Sequence, residues 1–199
     1  MNLAEKSLAT LNVFGELEAE TKQFVSESGL GCVAGCGFCC ANPKVPASPL
    51  EFLPLAFDLY EKGLAESTLT TLENMEEGAS CVMYRSQSED GKKGFCGSHP
   101  TRGMICRLFA ASARRTKYGK KDLIICKVLK EEKPAEYNLA SDRINKDMDI
   151  PLATAFYSRL EEIDQALCQQ FTINSAIAFA LELVLRYKFY EGQEADVIA

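Results

Sequence analysis

Four cysteines crowd into nine positions, Cys32, Cys36, Cys39 and Cys40, and four more follow at Cys81, Cys96, Cys106 and Cys126. Vicinal thiols such as Cys39 and Cys40 almost never pair with each other, because a vicinal disulfide is strained. Nine cysteines are also an odd number, so a closed disulfide framework leaves one thiol over. Metal chemistry fits better. Zinc takes four thiolate or imidazole ligands in a tetrahedron, and a [4Fe–4S] cluster takes four thiolates. The eight thiols from Cys32 to Cys126 suit two such sites, or one site with reserve ligands. Gly31, Gly35 and Gly37 lie among the first four and let the chain turn tightly around an ion or cluster. The side chains of Cys39 and Cys40 are expected to diverge and to reach different metals or different irons. Cys168 stands apart beside Leu167 and reads as a core thiol.

The charge pattern follows the thiols. Between residues 81 and 133 there are thirteen Lys and Arg against five Asp and Glu, whereas the rest of the chain carries nine against twenty-three. Arg102 and Arg107 flank Cys106 and are assigned to binding the cofactor, since cations beside a thiolate cage offset its negative charge. The rival account is an anionic partner. The run Arg114-Arg115-Thr116-Lys117-Tyr118 with Lys120-Lys121 is basic and holds one aromatic, but no nucleic-acid recognition fold accompanies it, so nucleic acid is the weaker reading. His99, the single histidine, is a fourth ligand, a proton donor or an ordinary loop residue.

The segments Cys32-Val33-Ala34-Gly35-Cys36-Gly37-Phe38-Cys39-Cys40 and Cys96-Gly97-Ser98-His99-Pro100-Thr101-Arg102-Gly103-Met104-Ile105-Cys106-Arg107 together resemble the bacterial YkgJ-type cysteine-cluster family. That family is described as a zinc- or iron-chelating domain and is often labelled an iron–sulfur protein. Cys32, Cys36, Cys39, Cys40, Cys96, Arg102, Cys106 and Arg107 fall on its motif positions. His99 stands where the family has Tyr, Gly103 stands where it has Pro, and the gap from Cys81 to Cys96 is long. The resemblance covers about residues 30–130 and implies metal binding, with an iron–sulfur cluster favoured slightly over zinc. It says little about a reaction.

Cys32-x3-Cys36-x-Phe38-Cys39 also satisfies the short radical-SAM signature. That fold needs a strand before the loop and alternating strands and helices after it, whereas a helix is expected on the N-terminal side here. No second histidine, nucleophile elbow, phosphate loop or paired-carboxylate motif suggests another catalytic team.

These residues must be positioned by a mostly α fold, a helical domain around an irregular, metal-stapled cysteine-rich middle with a small β-hairpin. Residues 3–29 read as a helix with Leu8, Leu11, Phe14 and Leu17 at helical spacing and Gly29 as its stop. Ser48-Pro49-Leu50-Glu51 carries an N-cap, a first-turn proline and a capping box, opening a helix to about residue 61. A short helix is expected over 67–76, irregular chain over 78–105, and a hairpin turning at Tyr118-Gly119-Lys120 with a strand over 123–128. Pro134 is expected to break the chain. Two helices then close it, one striped by Leu152, Phe156, Leu160, Ile163 and Leu167, the other running from Ile173 to Tyr190 and stopping at Gly192. The whole is expected to be one domain, with residues 30–130 as the metal-binding region and 1–29 and 135–192 as flanking helices.

No N-terminal signal segment and no span long enough for a bilayer is read from the sequence, and thiol crowding without disulfides suits a cytoplasmic protein. Two function classes follow: a redox or cluster-dependent enzyme acting on a protein or small molecule, or a non-catalytic zinc-stabilised interaction module.

Overall fold

The computed structural model describes residues 1–33, 35–91 and 93–198. The first helix, α1 (Leu3–Ser28), is opened by a reciprocal capping box in which Glu5 N donates to Asn2 Oδ1 and Asn2 N donates to Glu5 Oε2, each at 2.8 Å. Gly29 closes it in the left-handed region at φ 69°, the stop the sequence suggests. The buried stripe differs from the expected one. Phe14 and Leu17 are buried together with Thr10, Val13 and Phe24, but Leu8 is 61 % and Leu11 40 % exposed. Leu8 lies nine residues from Leu17, two and a half turns, and so faces the opposite side.

After the first cysteine loop come β1 (Pro46–Ala47) and α2 (Pro49–Glu61), whose Ser48 cap, Pro49 and Glu51 capping box are as expected. The next helix, α3 (Ala65–Glu73), starts and ends earlier than the predicted 67–76. The stretch read as irregular holds a hairpin of β2 (Tyr84–Ser86) and β3 (Gly94–Cys96), with Tyr84 opposite Cys96. A 3-10 turn at His99–Thr101 and the short α4 (Met104–Leu108) follow. The expected second hairpin is present as β4 (Ala113–Arg115) and β5 (Lys121–Leu123), turning through Gly119 at φ 79°.

The strand predicted to reach Val128 ends at Leu123. Cys126 instead caps α5 (Lys127–Glu132), its sulfur accepting from the amide of Leu129 at 3.4 Å. Pro134 marks a break, as expected: α5 ends at Glu132, and Pro134 occupies the first position of a new helix, α6 (Pro134–Arg143), where the missing N–H costs nothing. The closing helices are α7 (Ala153–Asp164) and, after β6 (Phe171–Thr172), α8 (Ile173–Ile198). α8 passes through Gly192, because a single glycine lowers helix propensity by only about 1 kcal/mol.

Mostly α is therefore the fold class, with three two-stranded antiparallel sheets among the described residues. The main core forms where α2 packs against α8 and α1, with α3 on α8 and α7 on α1. Leu50, Leu53 and Leu55 of α2 meet Phe14, Leu17, Leu160, Ile177 and Leu181 there. A second cluster joins Phe24 and Leu30 to Leu123, Leu129, Ile144 and Met148, and roots the β4–β5 hairpin.

Candidate metal centre

A cleft of about 640 Å³ opens between the later turns of α1 and the β2–β3 hairpin. Cys32, Cys36, Cys39, Cys40, Cys81, Cys96 and Cys106 all line it, so both cysteine blocks reach one place. Cys126 does not line the wall but lies close enough to Cys32 to act on its ionisation. Cys168 sits elsewhere, in a 3-10 turn at Ala166–Cys168, packed against the main core. All nine cysteines are free thiols.

Backbone pairing brings the blocks together. The amide of Gly94 donates to Gly35 O at 2.9 Å, Cys36 forms a bridge with Lys93, and the amide of Cys81 donates to Cys40 O at 3.1 Å. The first cysteine loop is thereby annexed to the β2–β3 hairpin as a partial third strand. Tyr84 locks the junction, its hydroxyl donating to Gly91 O at 2.6 Å and Lys93 O at 3.0 Å. Its ring packs against Gly37 and Gly94, and a Cβ on either glycine would overlap it. From the helical side, Asn174 in the first turn of α8 accepts from Val82 N at 2.9 Å and donates to Ser80 O at 3.0 Å, clamping both neighbours of Cys81. Cys106 rides on α4, whose first turn is held by the buried Glu51.

The thiols fall into two electrostatic groups. Cys106 is pushed well up, first by burial and then by Cys81, Glu51, Cys39 and Cys96. Burial raises Cys81 to about 11 and also raises Cys96. Cys32 is raised by burial and by Cys39, Cys36 and Cys126. Cys39 and Cys40 connect the groups. Each of these two thiols acts on the other's ionisation: their mutual interaction lowers Cys39 to about 6 and pushes Cys40 far up, so one of the two ionises readily and the second is strongly opposed.

Arg102 lowers both Cys39 and Cys96. Arg85, which sequence reasoning missed, lowers Cys81 and Cys96; its position four residues after Cys81 inside the basic block was the available signal. Arg107 is buried, and burial brings its guanidinium down to about 10. Its donors are committed to the frame rather than to thiols: Nη2 to Pro100 O at 2.5 Å, Nε to Arg102 O at 3.1 Å, and Nη1 to Glu18 at 3.5 Å, with the guanidinium 4.6 Å from the Phe14 ring centroid. Arg107 thus fastens the 99–102 turn to α1. His99 lies at the cleft with Nδ1 3.0 Å from Arg102 Nη1. Burial, then Arg102 and Arg107, lowers its pKa and favours the neutral ring.

Gly103 stands where the resembled motif has proline. A Cβ there would lie 2.8 Å from Phe52 Cζ and 3.0 Å from Glu51 Oε2, so this chain has used the space for the Glu51 clamp.

Among the described residues, no three Cys, His, Asp or Glu side chains converge as placed on a point that would hold an ion. The donor set is nevertheless that of a soft-metal site, since thiolates select zinc and iron–sulfur clusters, and the raised thiols are the groups that metal binding deprotonates.

Residues 31–137, just over half of the chain, match the family model CxxCxxCC, described as "Putative zinc- or iron-chelating domain". The matched segment contains all eight cysteines from Cys32 to Cys126. No curated protein and no solved structure gives a match. No helix among the described residues is long and apolar enough to cross a membrane.

Proposed function

This chain belongs to the CxxCxxCC family of metal-chelating domains, and on that premise we propose that it holds an iron–sulfur cluster, with zinc as the second reading, in the cleft between α1 and the β2–β3 hairpin. The carrying observation is that seven thiols from both cysteine blocks line this one cleft. Cys39, Cys40, Cys81, Cys96 and Cys106 form the inner group and supply the ligands of the principal site. Cys32 and Cys36, with Cys126 behind them, form an outer group for a second site or for exchange.

When bound, a cluster supplies electron transfer or an open iron for a substrate, whereas zinc supplies structure or Lewis acidity. The protein's own contribution is electrostatic and geometric. Arg85 and Arg102 favour the thiolate forms around them. Glu51, Asn174 and Tyr84 fix the segments that carry Cys106, Cys81 and the first loop. Because α1, the cysteine loop, the hairpin and α4 all build the cleft, residues 1–199 are read as one domain. A reducing, cytoplasmic setting keeps such thiols available.

The test is anaerobic purification with iron, sulfide and zinc analysis beside an absorption spectrum. Iron and sulfide in matching amounts, with broad visible absorption that bleaches on reduction, are expected. Colourless protein with stoichiometric zinc would establish the second reading, and protein without either would end both.

A further inference from the structure

We propose that the β4–β5 hairpin is a docking site for single-stranded nucleic acid. The inference is independent of what the cysteines hold. The basic block divides in the folded chain. Arg85 and Arg102 act at the thiols and Arg107 holds the frame beside them, whereas no residue of the β4–β5 hairpin lines the cleft.

The hairpin concentrates charge and neutralises only part of it. Arg114 pairs with Asp122 at 3.1 Å. Arg115, however, stands directly opposite Lys121 in the antiparallel register, a like-charge pairing that sheets disfavour. Lys117 and Lys120 flank the turn. Among the described residues none of Arg115, Lys117, Lys120 and Lys121 has a carboxylate partner. In their midst Tyr118 is 78 % exposed, with Lys117 Nζ 5.0 Å from its ring centroid.

This charged tip is rigidly mounted. Ala113 and Leu123 are buried at its base, Ala113 N donates to Pro151 O at 2.9 Å, and Asn145 accepts from Lys121 N at 2.7 Å and donates to Lys121 O at 3.0 Å. With Asp122 committed to Arg114, the other four cations held together by the fold are complementary to an external anion.

The aromatic decides the class. Phosphates alone would answer the cations, but single strands also place bases on exposed aromatic rings. A lipid surface would meet only one large apolar side chain on the tip, and an acidic peptide would offer Tyr118 nothing to stack on.

The test is fluorescence anisotropy of the full chain, as purified, against labelled mixed-sequence 12-nucleotide RNA and DNA over a salt series. Four phosphate contacts give a log–log salt slope near −3, at about −0.7 per contact. The Arg115→Ala/Lys121→Ala double variant should halve that slope. Tyr118→Ala should weaken binding roughly tenfold at unchanged slope, with Tyr118→Phe close to wild type. Lys127→Ala/Lys130→Ala on α5 should change little, and metal content should stay constant throughout. Absence of binding at low salt, or hairpin variants that bind like wild type, would overturn the proposal. Equal, hairpin-dependent binding of polyglutamate or of anionic phospholipid vesicles would overturn the nucleic-acid assignment in favour of those partners.

Discussion

Glu51 Oε2 accepts a hydrogen bond from the amide of Ile105 at 2.9 Å across a sequence separation of 54 residues. The other oxygen, Oε1, accepts from Ser48 N at 2.7 Å and Ser48 Oγ at 3.0 Å. One fully buried carboxylate therefore caps α2 and also fixes the turn that delivers Cys106. A capping box is normally a local device; here its free oxygen has been turned inward to hold a candidate ligand.

Burial pushes the Glu51 carboxyl above its ordinary value of 4.5, against the pull of its hydrogen-bond donors. A carboxyl raised in the fold contributes stability that is fully present below pH 4.5 and is lost as pH rises through its folded value. In metal-free protein, the advantage of wild type over Glu51→Gln should accordingly be largest in acid and should narrow toward neutrality. Glu51→Ala, which orphans the same donors, should cost on the order of 3 kcal/mol in acid, and that gap should narrow toward neutrality in parallel, since alanine no more titrates than glutamine does. Urea titrations of the three proteins at several pH values measure this. A gap between wild type and Glu51→Gln that widens toward neutrality would mean that the carboxylate, not the acid, is the stabilising form.

The local half of this arrangement was legible in the sequence and the long-range half was not. Ser48, Pro49 and Glu51 announce the start of α2 because capping needs only neighbours. Nothing near Glu51 tells that Ile105 will arrive. The β2–β3 hairpin escaped for a related reason: Tyr84-Arg85-Ser86 and Gly94-Phe95-Cys96 are too short to show alternation, and their pairing depends on Tyr84 finding Gly37. α5 and α6 were hidden because a cysteine serves as N-cap and because Pro134, read as a breaker, is also a favoured first helical residue. Leu8 and Leu11 misled because spacing alone does not say which side of a helix meets the core. The thiols were singled out by type and spacing, but that seven of them line one cleft is seen only in the fold.

Gly37 and Gly35 should respond differently to alanine. A Cβ at Gly37 would overlap the Tyr84 ring, whereas Gly35 has open space and only its φ of 72° to protect. Gly35→Ala should cost about 1 kcal/mol from backbone strain, and Gly37→Ala about 1–3 kcal/mol from overpacking. Combining Gly37→Ala with Tyr84→Ala should restore part of the loss, since the obstruction is gone. Thermal melts of the single and double variants give the coupling; strictly additive losses would show that the Tyr84 contact is not the cause.

Arg107→Lys should destabilise the protein by about 2 kcal/mol, because an ammonium cannot reach Pro100 O, Arg102 O and Glu18 at once or stack on Phe14. Glu18→Gln should cost well under 1 kcal/mol, as the Glu18 side chain is half exposed and exposed ion pairs contribute little. Denaturant unfolding of both variants tests the ranking, and equal losses would place the role of Arg107 in its ion pair instead of in the carbonyl clamp.

The cysteine assignments make the sharpest prediction. Serine nearly matches cysteine in size but is a much poorer ligand for soft metals. In the proposed arrangement Cys106 belongs to the inner group and Cys36 to the outer, both lining the cleft, whereas Cys168 does not line it. Cys106→Ser should therefore lose most bound metal. Cys36→Ser should lose metal in part if the outer group forms its own site, and should loosen the loop that pairs with Lys93. Structural zinc sites in small peptides contribute about 10–16 kcal/mol, comparable to the roughly 5–15 kcal/mol that holds a whole domain together. Loss at the inner site should consequently expose the 78–105 segment to protease while α2 and α8 stay protected. Cys168→Ser removes one half-buried sulfur and should cost about 1 kcal/mol with no metal released. Metal content, limited proteolysis and melting of the three variants beside wild type decide the matter. Undiminished metal in Cys106→Ser, or release from Cys168→Ser, would show that the ligands come from a different set of thiols.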